Sequence, residues 1–194
     1  MSTFWSKNFA EGGTDPKRKF RFMVYGEKLG GMVWYAKSCA KPGFTINAAE
    51  HKFLNHTFFY PGNVTWQDVT MTLVDPGDPD IAGTLADIIV ASKYVIPANE
   101  GAKMKTISKS SAVEALGEIT IAQLDSDGNE IESWTLWNAW ISEYKWGELE
   151  YGADDLNTLD VTLKYDWAII DSKKSKSVAN KAGQRFALST DDKK

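Results

Sequence analysis

The chain has 194 residues, 43% of them hydrophobic and 25% charged, with a formal net charge of -4. That length and balance give one domain able to bury a core and exclude a mostly disordered chain. The single cysteine, Cys39, excludes an internal disulfide framework, and apolar runs of a few residues fall far short of the ~20 that span a bilayer.

Residues 1–18 read as an irregular arm: Gly12-Gly13-Thr14-Asp15-Pro16 is turn chemistry ahead of the basic Lys17-Arg18-Lys19. The stretch Met1 to Lys7 lacks the apolar run of a signal peptide, so synthesis in a reducing compartment is expected. From Lys19 the chain alternates, with Phe20, Phe22 and Val24 opposite Lys19, Arg21 and Met23, the pattern of a half-buried strand. Gly26 and Gly30-Gly31 flank a turn into Met32 to Lys37, which predicts a hairpin. Pro42-Gly43 bends the chain. One further strand, His51 to Tyr60, ends at Pro61-Gly62-Asn63, and Trp66 to Val74 turns Val69, Met71 and Leu73 to one side.

Asp78 suits a helix N-cap and Pro79 the first helical position. Ile81, Leu85, Ile88, Ile89 and Val95 then recur at helical spacing, so an amphipathic helix over 79–95 is expected, the only long one. Residues 96–109 show no periodicity and read as a long exposed loop of the kind that serves an interface. Ser111 to Leu116 adds one helical turn. The rest reads as strand: Glu118 to Leu124, a tight turn at Asp125 to Asn129, then Glu130 to Ile141 with Trp134, Leu136 and Trp140 on one face. Tyr144, Trp146, Leu149 and Tyr151 continue the series. A last strand sets Val161, Leu163, Tyr165, Trp167 and Ile169 against Asp160, Thr162, Lys164 and Asp166. Residues 171–194 form a basic tail with seven Lys/Arg against three Asp, which leaves fifteen against twenty-three Asp/Glu in the body. The expected fold is mainly β, an antiparallel β-sandwich or rolled barrel with one amphipathic α-helix, over residues 19–170.

Signs of catalysis are scarce. His51 and His56 lie an odd number of residues apart, which on one strand puts them on opposite faces and excludes shared metal ligation. Asp125-x-Asp127-Gly128-Asn129-Glu130 places its glycine too early for a calcium loop, and a hairpin turn explains it. Cys39, despite Lys37 and Lys41, reads as a buried small hydrophobe. No acid–base or nucleophile constellation forms, so no catalytic residue, metal or cofactor is expected and the chain is not expected to be an enzyme. The aromatic load is the informative excess. Trp134, Trp137 and Trp140 recur every third residue and reach both faces of a strand, which points to a second buried surface at a protein interface. A carbohydrate-stacking platform on Trp137 and Trp140 is the alternative. The acidic body argues against tight nucleic-acid wrapping and would let a polyanion pass without sticking.

The order of these features resembles the tail-tube protein family of contractile-tailed bacteriophages, related to the type VI secretion tube protein. The likeness rests on the Lys19–Tyr25 strand, the Cys39-Ala40-Lys41-Pro42-Gly43 kink, Val64-Thr65-Trp66-Gln67-Asp68-Val69-Thr70-Met71-Thr72-Leu73, the helix after Asp75, Leu136-Trp137-Asn138-Ala139-Trp140-Ile141, and Leu159-Asp160-Val161-Thr162-Leu163-Lys164-Tyr165-Asp166-Trp167. It implies a structural virion protein whose homohexameric rings stack into an inner tail tube, a conduit for DNA, with tail sheath, baseplate and tail-terminator proteins as partners. It implies location in the virion after assembly in the host cytoplasm. A baseplate tube initiator or secretion-system tube protein is the alternative. Contacts within and between rings are then expected at Phe4, Trp5, Phe9, Lys17 and Arg18 of the arm, Lys103 and Lys105 of the loop, and Trp137 and Trp140.

Overall fold

In the computed structural model, which describes residues 16–94, 106–152 and 154–172, the alternating segments pair antiparallel into two sheets and a separate hairpin. In chain order the strands are β1 (Phe22–Gly26), β2 (Gly31–Met32), β3 (Ala36–Cys39), β4 (Phe44–Phe53), β5 (His56–Trp66) and β6 (Val69–Val74). Helices α1 (Ile81–Ala91) and α2 (Lys109–Leu116) follow, then β7 (Ile119–Leu124), β8 (Glu130–Trp137), β9 (Trp140–Lys145), β10 (Thr158–Lys164) and β11 (Trp167–Ser172). One sheet runs β11-β8-β7-β1-β2, the other β3-β6-β10-β9, and β4 pairs only with β5.

The core lies between the two sheets. Period-2 alternation turns Val24, Ile119, Ile121 and Leu136 inward from the first sheet and Val69, Met71, Leu73, Leu159, Val161 and Leu163 from the second, all buried in one cluster. Ile81, Leu85 and Ile88 of α1 and Leu116 of α2 join it. The helices pack on each other, α2 also on β9, and both on the 3-10 turn Glu27–Leu29 beside β1, so they bridge one sheet to the other.

The expected amphipathic helix is present but shorter. Asp80, not Asp78, is its N-cap: the Asp80 carboxylate accepts from the Gly83 amide at 2.8 Å, and Ser92 ends the helix. A second helix occupies Lys109 to Leu116, more than the single turn expected, because the Ser108 hydroxyl accepts from the Ser111 amide at 3.2 Å and caps it. The first hairpin is also smaller than expected. Tyr25 pairs with Met32 and Gly26 with Gly31, and the chain then leaves to place Ala36 to Cys39 in the other sheet against β6.

Two long strands of the sequence are each divided at one corner. Glu130 to Ile141 becomes β8 and β9, and Leu159 to Ile169 becomes β10 and β11, each pair split between the two sheets. The divided strands run side by side: Trp137 pairs with Trp167 before the crossing, Trp140 with Lys164 after it. Asn138 takes a left-handed φ of 55°, which asparagine tolerates, and turns the backbone there. Asp166 holds both crossings, accepting from Asn138 Nδ2 at 2.7 Å and from Lys109 Nζ at 2.6 Å, while its own amide donates to the Trp137 carbonyl at 3.0 Å. A period-2 pattern cannot register a strand that changes sheets without losing alternation.

Leu163 is 1% exposed at the centre of the second sheet. Leu163→Ala is expected to cost about 2–5 kcal/mol in urea unfolding. Leu163→Asp, an unpaired buried charge, should abolish the cooperative transition followed by circular dichroism.

Candidate functional site

The largest departure from a self-contained domain is the β4/β5 hairpin. His51 to Tyr60, expected as one strand, instead turns back at Leu54-Asn55, and Pro61, Gly62 and Asn63 lie inside β5 rather than ending it. Proline is tolerated because the register slips between Ile46 and Ala48, opposite Pro61, where a bulge interrupts the ladder. Gly62 fits there for lack of a side chain: a Cβ would lie 2.9 Å from the Asn47 carbonyl oxygen.

The eleven residues of β5 extend the hairpin about 35 Å. Its residues are exposed throughout except Trp66 at the base, yet it carries Phe44, Ile46, Phe53, Leu54, Phe58, Phe59, Tyr60 and Val64. Cross-strand pairing gathers Phe53, Phe58 and Tyr60 with His51 and His56 on one face. The two histidines thus share a face, against the expectation from their spacing, because they sit on opposite arms of a hairpin. Among the described residues no group of three or more His, Cys, Asp or Glu side chains is placed to hold a metal ion. A two-stranded ribbon is marginal alone in water, and this one leaves its large side chains uncovered.

The base of the hairpin is tied to the body. Gln67 donates from its amide to the Gly43 carbonyl at 2.8 Å and from Nε2 to Thr45 Oγ1 at 3.3 Å. Phe44 meets Trp66 edge to face at 5.2 Å, and Trp66 meets Tyr165 at 5.8 Å.

Strand edges are the second feature. Among the described residues, no strand pairs with the outer sides of β2 and β11 in one sheet or of β3 and β9 in the other. The two outer faces differ in chemistry. That of the second sheet is polar: Thr72 Oγ1 donates to Asp160 at 2.8 Å, and Thr70 and Thr162 pair beside them. That of the first carries Trp137 stacked on Trp167, with centroids 6.0 Å apart and planes 16° apart, beside Ile169.

Trp137 is therefore exposed, as a surface residue should be. Trp140 begins β9 in the other sheet and is half-buried, so the two do not form one stacking platform; the partner of Trp137 is Trp167. Phe4, Trp5, Phe9, Lys103 and Lys105 lie outside the described residues. Cys39 is half-buried against the core, and burial pushes its thiol up to about 12, away from reactivity. In the turn, Asp125 accepts from the amides of Asp127 and Asn129 at 2.9 and 2.8 Å, a hairpin role for the calcium-like sequence.

Lys17 and Arg18 are held at a site the sequence did not indicate. Gln123 and Glu132 face each other across β7 and β8, both buried. Gln123 Nε2 donates to the carbonyls of Arg18 at 2.8 Å and Arg21 at 2.6 Å. Glu132 Oε2 accepts from Lys17, and Oε1 accepts from Lys41 at 2.9 Å and Trp134 Nε1 at 2.6 Å. Burial pulls this carboxyl upward, but the bonds from Lys17, Lys41 and Trp134 outweigh it and hold it at about 2.

No protein-family model matches the chain, and no curated protein matches it in sequence. Among solved structures it is similar to a chain of the PVC sheath–tube complex of an extracellular contractile injection system in the extended state, with a TM-score of 0.57 and 17% identity over 81% of this chain and 92% of that one. It is similar to a chain of the anti-feeding prophage baseplate with a TM-score of 0.60 and 13% identity, over 82% and 97% of the two chains. A chain of the PVC sheath/tube terminator gives 0.58 and 17%, over 82% and 99%. The mainly β fold is shared with chains of these contractile injection assemblies, and it bears out the resemblance read from the sequence.

Two outcomes follow. Because the Glu132 carboxyl is lowered on folding, its stabilisation is complete above its ordinary 4.5 and is lost as pH falls toward about 2. Glu132→Gln should flatten that part of the acid-unfolding curve. Gly62→Val should quicken amide exchange along the hairpin and leave Leu163 and its neighbours protected, as hydrogen–deuterium exchange would read.

Proposed function

We propose that this chain is a non-catalytic structural subunit whose copies form rings that stack into the inner tube of a contractile apparatus. One observation carries the reading: a hairpin about 35 Å long presents its aromatic side chains to solvent from a body with four strand edges that no strand among the described residues pairs. Edges of this kind invite uncontrolled pairing unless neighbours close them, and a cyclic arrangement of identical subunits closes them all at once. The polar outer face of the second sheet, between the open edges of β3 and β9, suits the wall of a bore. The apolar hairpin and the Trp137–Trp167 face suit contacts with other copies.

Homohexameric rings are the finer form of this proposal. So are sheath, baseplate and terminator partners, and carriage of DNA through the bore of a phage tail. The solved structures similar in fold come from sheath–tube, baseplate and terminator assemblies, which supports those partners for a tube subunit. The acidic balance of residues 1–170 supports passage of a polyanion without binding. Among the described residues no helix is long and apolar enough to cross a membrane.

The test is imaging of hairpin variants. Phe58→Asp and Tyr60→Asp change exposed positions, so each should melt within a few degrees of the parent, while negative-stain micrographs lose tubes that the parent forms. Removal of residues 1–15 should likewise leave a folded subunit with impaired stacking. Tubes that persist in both aromatic variants would contradict the hairpin's role.

A further inference from the structure

The Glu132 cluster joins the two segments that the proposed function sends to neighbouring copies. Lys17 lies where the N-terminal arm meets the body, and Lys41 precedes β4 by the short link Pro42-Gly43. Pro42 is buried with a fixed φ, and the Gly43 carbonyl accepts from the Gln67 amide at 2.8 Å, so a displacement of Lys41 is passed to the hairpin base with little slack. On the other side, Gln123 holds the carbonyls of Arg18 and Arg21, so Lys17 belongs to a segment equally well fixed.

Each lysine takes a different oxygen of one planar carboxylate, and Trp134 Nε1 shares Oε1 with Lys41. The orientation that presents Oε2 to Lys17 therefore sets where Oε1 meets Lys41. A carboxylate turned toward a core is strongly destabilising unless its bonds are kept, so it follows whichever lysine moves. Apolar residues in its place would hold the sheets together at least as well, but they would transmit no direction.

We propose that Glu132 is a positioning residue that couples the segment from Lys17 to Arg21, at the root of the N-terminal arm, to the β4/β5 hairpin, so that fixing either one in a contact with a neighbouring copy steadies the other. This rests on the reading of arm and hairpin as contact elements. Its consequence for assembly is cooperative: a subunit docked through its arm presents a better ordered hairpin to the next.

The experiment is amide hydrogen exchange on dilute, unassembled full-length subunits, so its result does not depend on whether tubes form. Lys17→Ala should quicken exchange of the Gln67 amide at the hairpin base, and Lys41→Ala should quicken that of Arg21, each about five- to tenfold, at the low end of couplings between sites. Coupling is reciprocal, so the two effects should be of similar size. Glu132→Gln should quicken both. The Asp166 amide, at the far end of β8, should be unchanged, and Lys17→Arg should restore the parent rate at Gln67. The proposal is overturned if each lysine variant affects only its own segment, or if Glu132→Gln affects neither. It is equally overturned if every amide including that of Asp166 quickens together, which would make the cluster a plain stabiliser. Tubes absent from a parent chain with intact coupling would count against the tube reading alone.

Discussion

Strand edges left without a pairing strand are the constraint around which the described part of this molecule is organised. Two sheets bury a shared core, but among the described residues neither closes on itself, so β2, β11, β3 and β9 keep hydrogen-bonding groups directed outward. A long hairpin adds aromatic side chains that stand exposed among the described residues. Water satisfies the edges, but leaving them open invites pairing with any other strand. Covering the aromatic face brings a hydrophobic gain of roughly 25 cal/mol per Å². The fold therefore has a buried centre and a periphery that offers unpaired edges and exposed aromatics to other molecules.

The two kinds of surface are kept apart. Where strands cross from one sheet to the other, Asp166, Asn138 and Lys109 lock the corner, and the chain presents threonines and charges on one outer face and stacked tryptophans on the other. A subunit with one wettable face and one sticky face can line a channel while adhering to its neighbours. At the opposite end of β8, Glu132 and Gln123 fasten Lys17, Arg18 and Lys41 to the body, so the hairpin leaves from a defined point.

Much of the core was legible because most buried strand residues sit at period 2: Val69, Met71 and Leu73 in β6, and Val161 and Leu163 in β10, were named from alternation alone. Alternation also concealed the fold's main architectural event. Trp134 to Trp140 and Leu163 to Trp167 keep their hydrophobic rhythm through a change of sheet, since the corner is made by a left-handed Asn138 and by bonds to Asp166, which leave no mark on periodicity. The long hairpin was misread for a related reason. Proline and glycine usually end strands, but here Pro61 and Gly62 sit at a bulge, and the actual turn, Leu54-Asn55, lacks glycine. Of the candidate contacts, Trp137 is exposed on the first sheet and Trp140 lies in the other sheet. The lysine cluster was not legible, because only the folded chain brings positions 17, 41 and 132 together.

Sedimentation velocity of the unmodified chain over a wide range of concentration tests the central claim most directly. The account predicts a folded single subunit when dilute and closed multiples or long polymers as concentration rises. A species that stays monomeric at every concentration, with the hairpin's amides already as protected as those of the core, would contradict it.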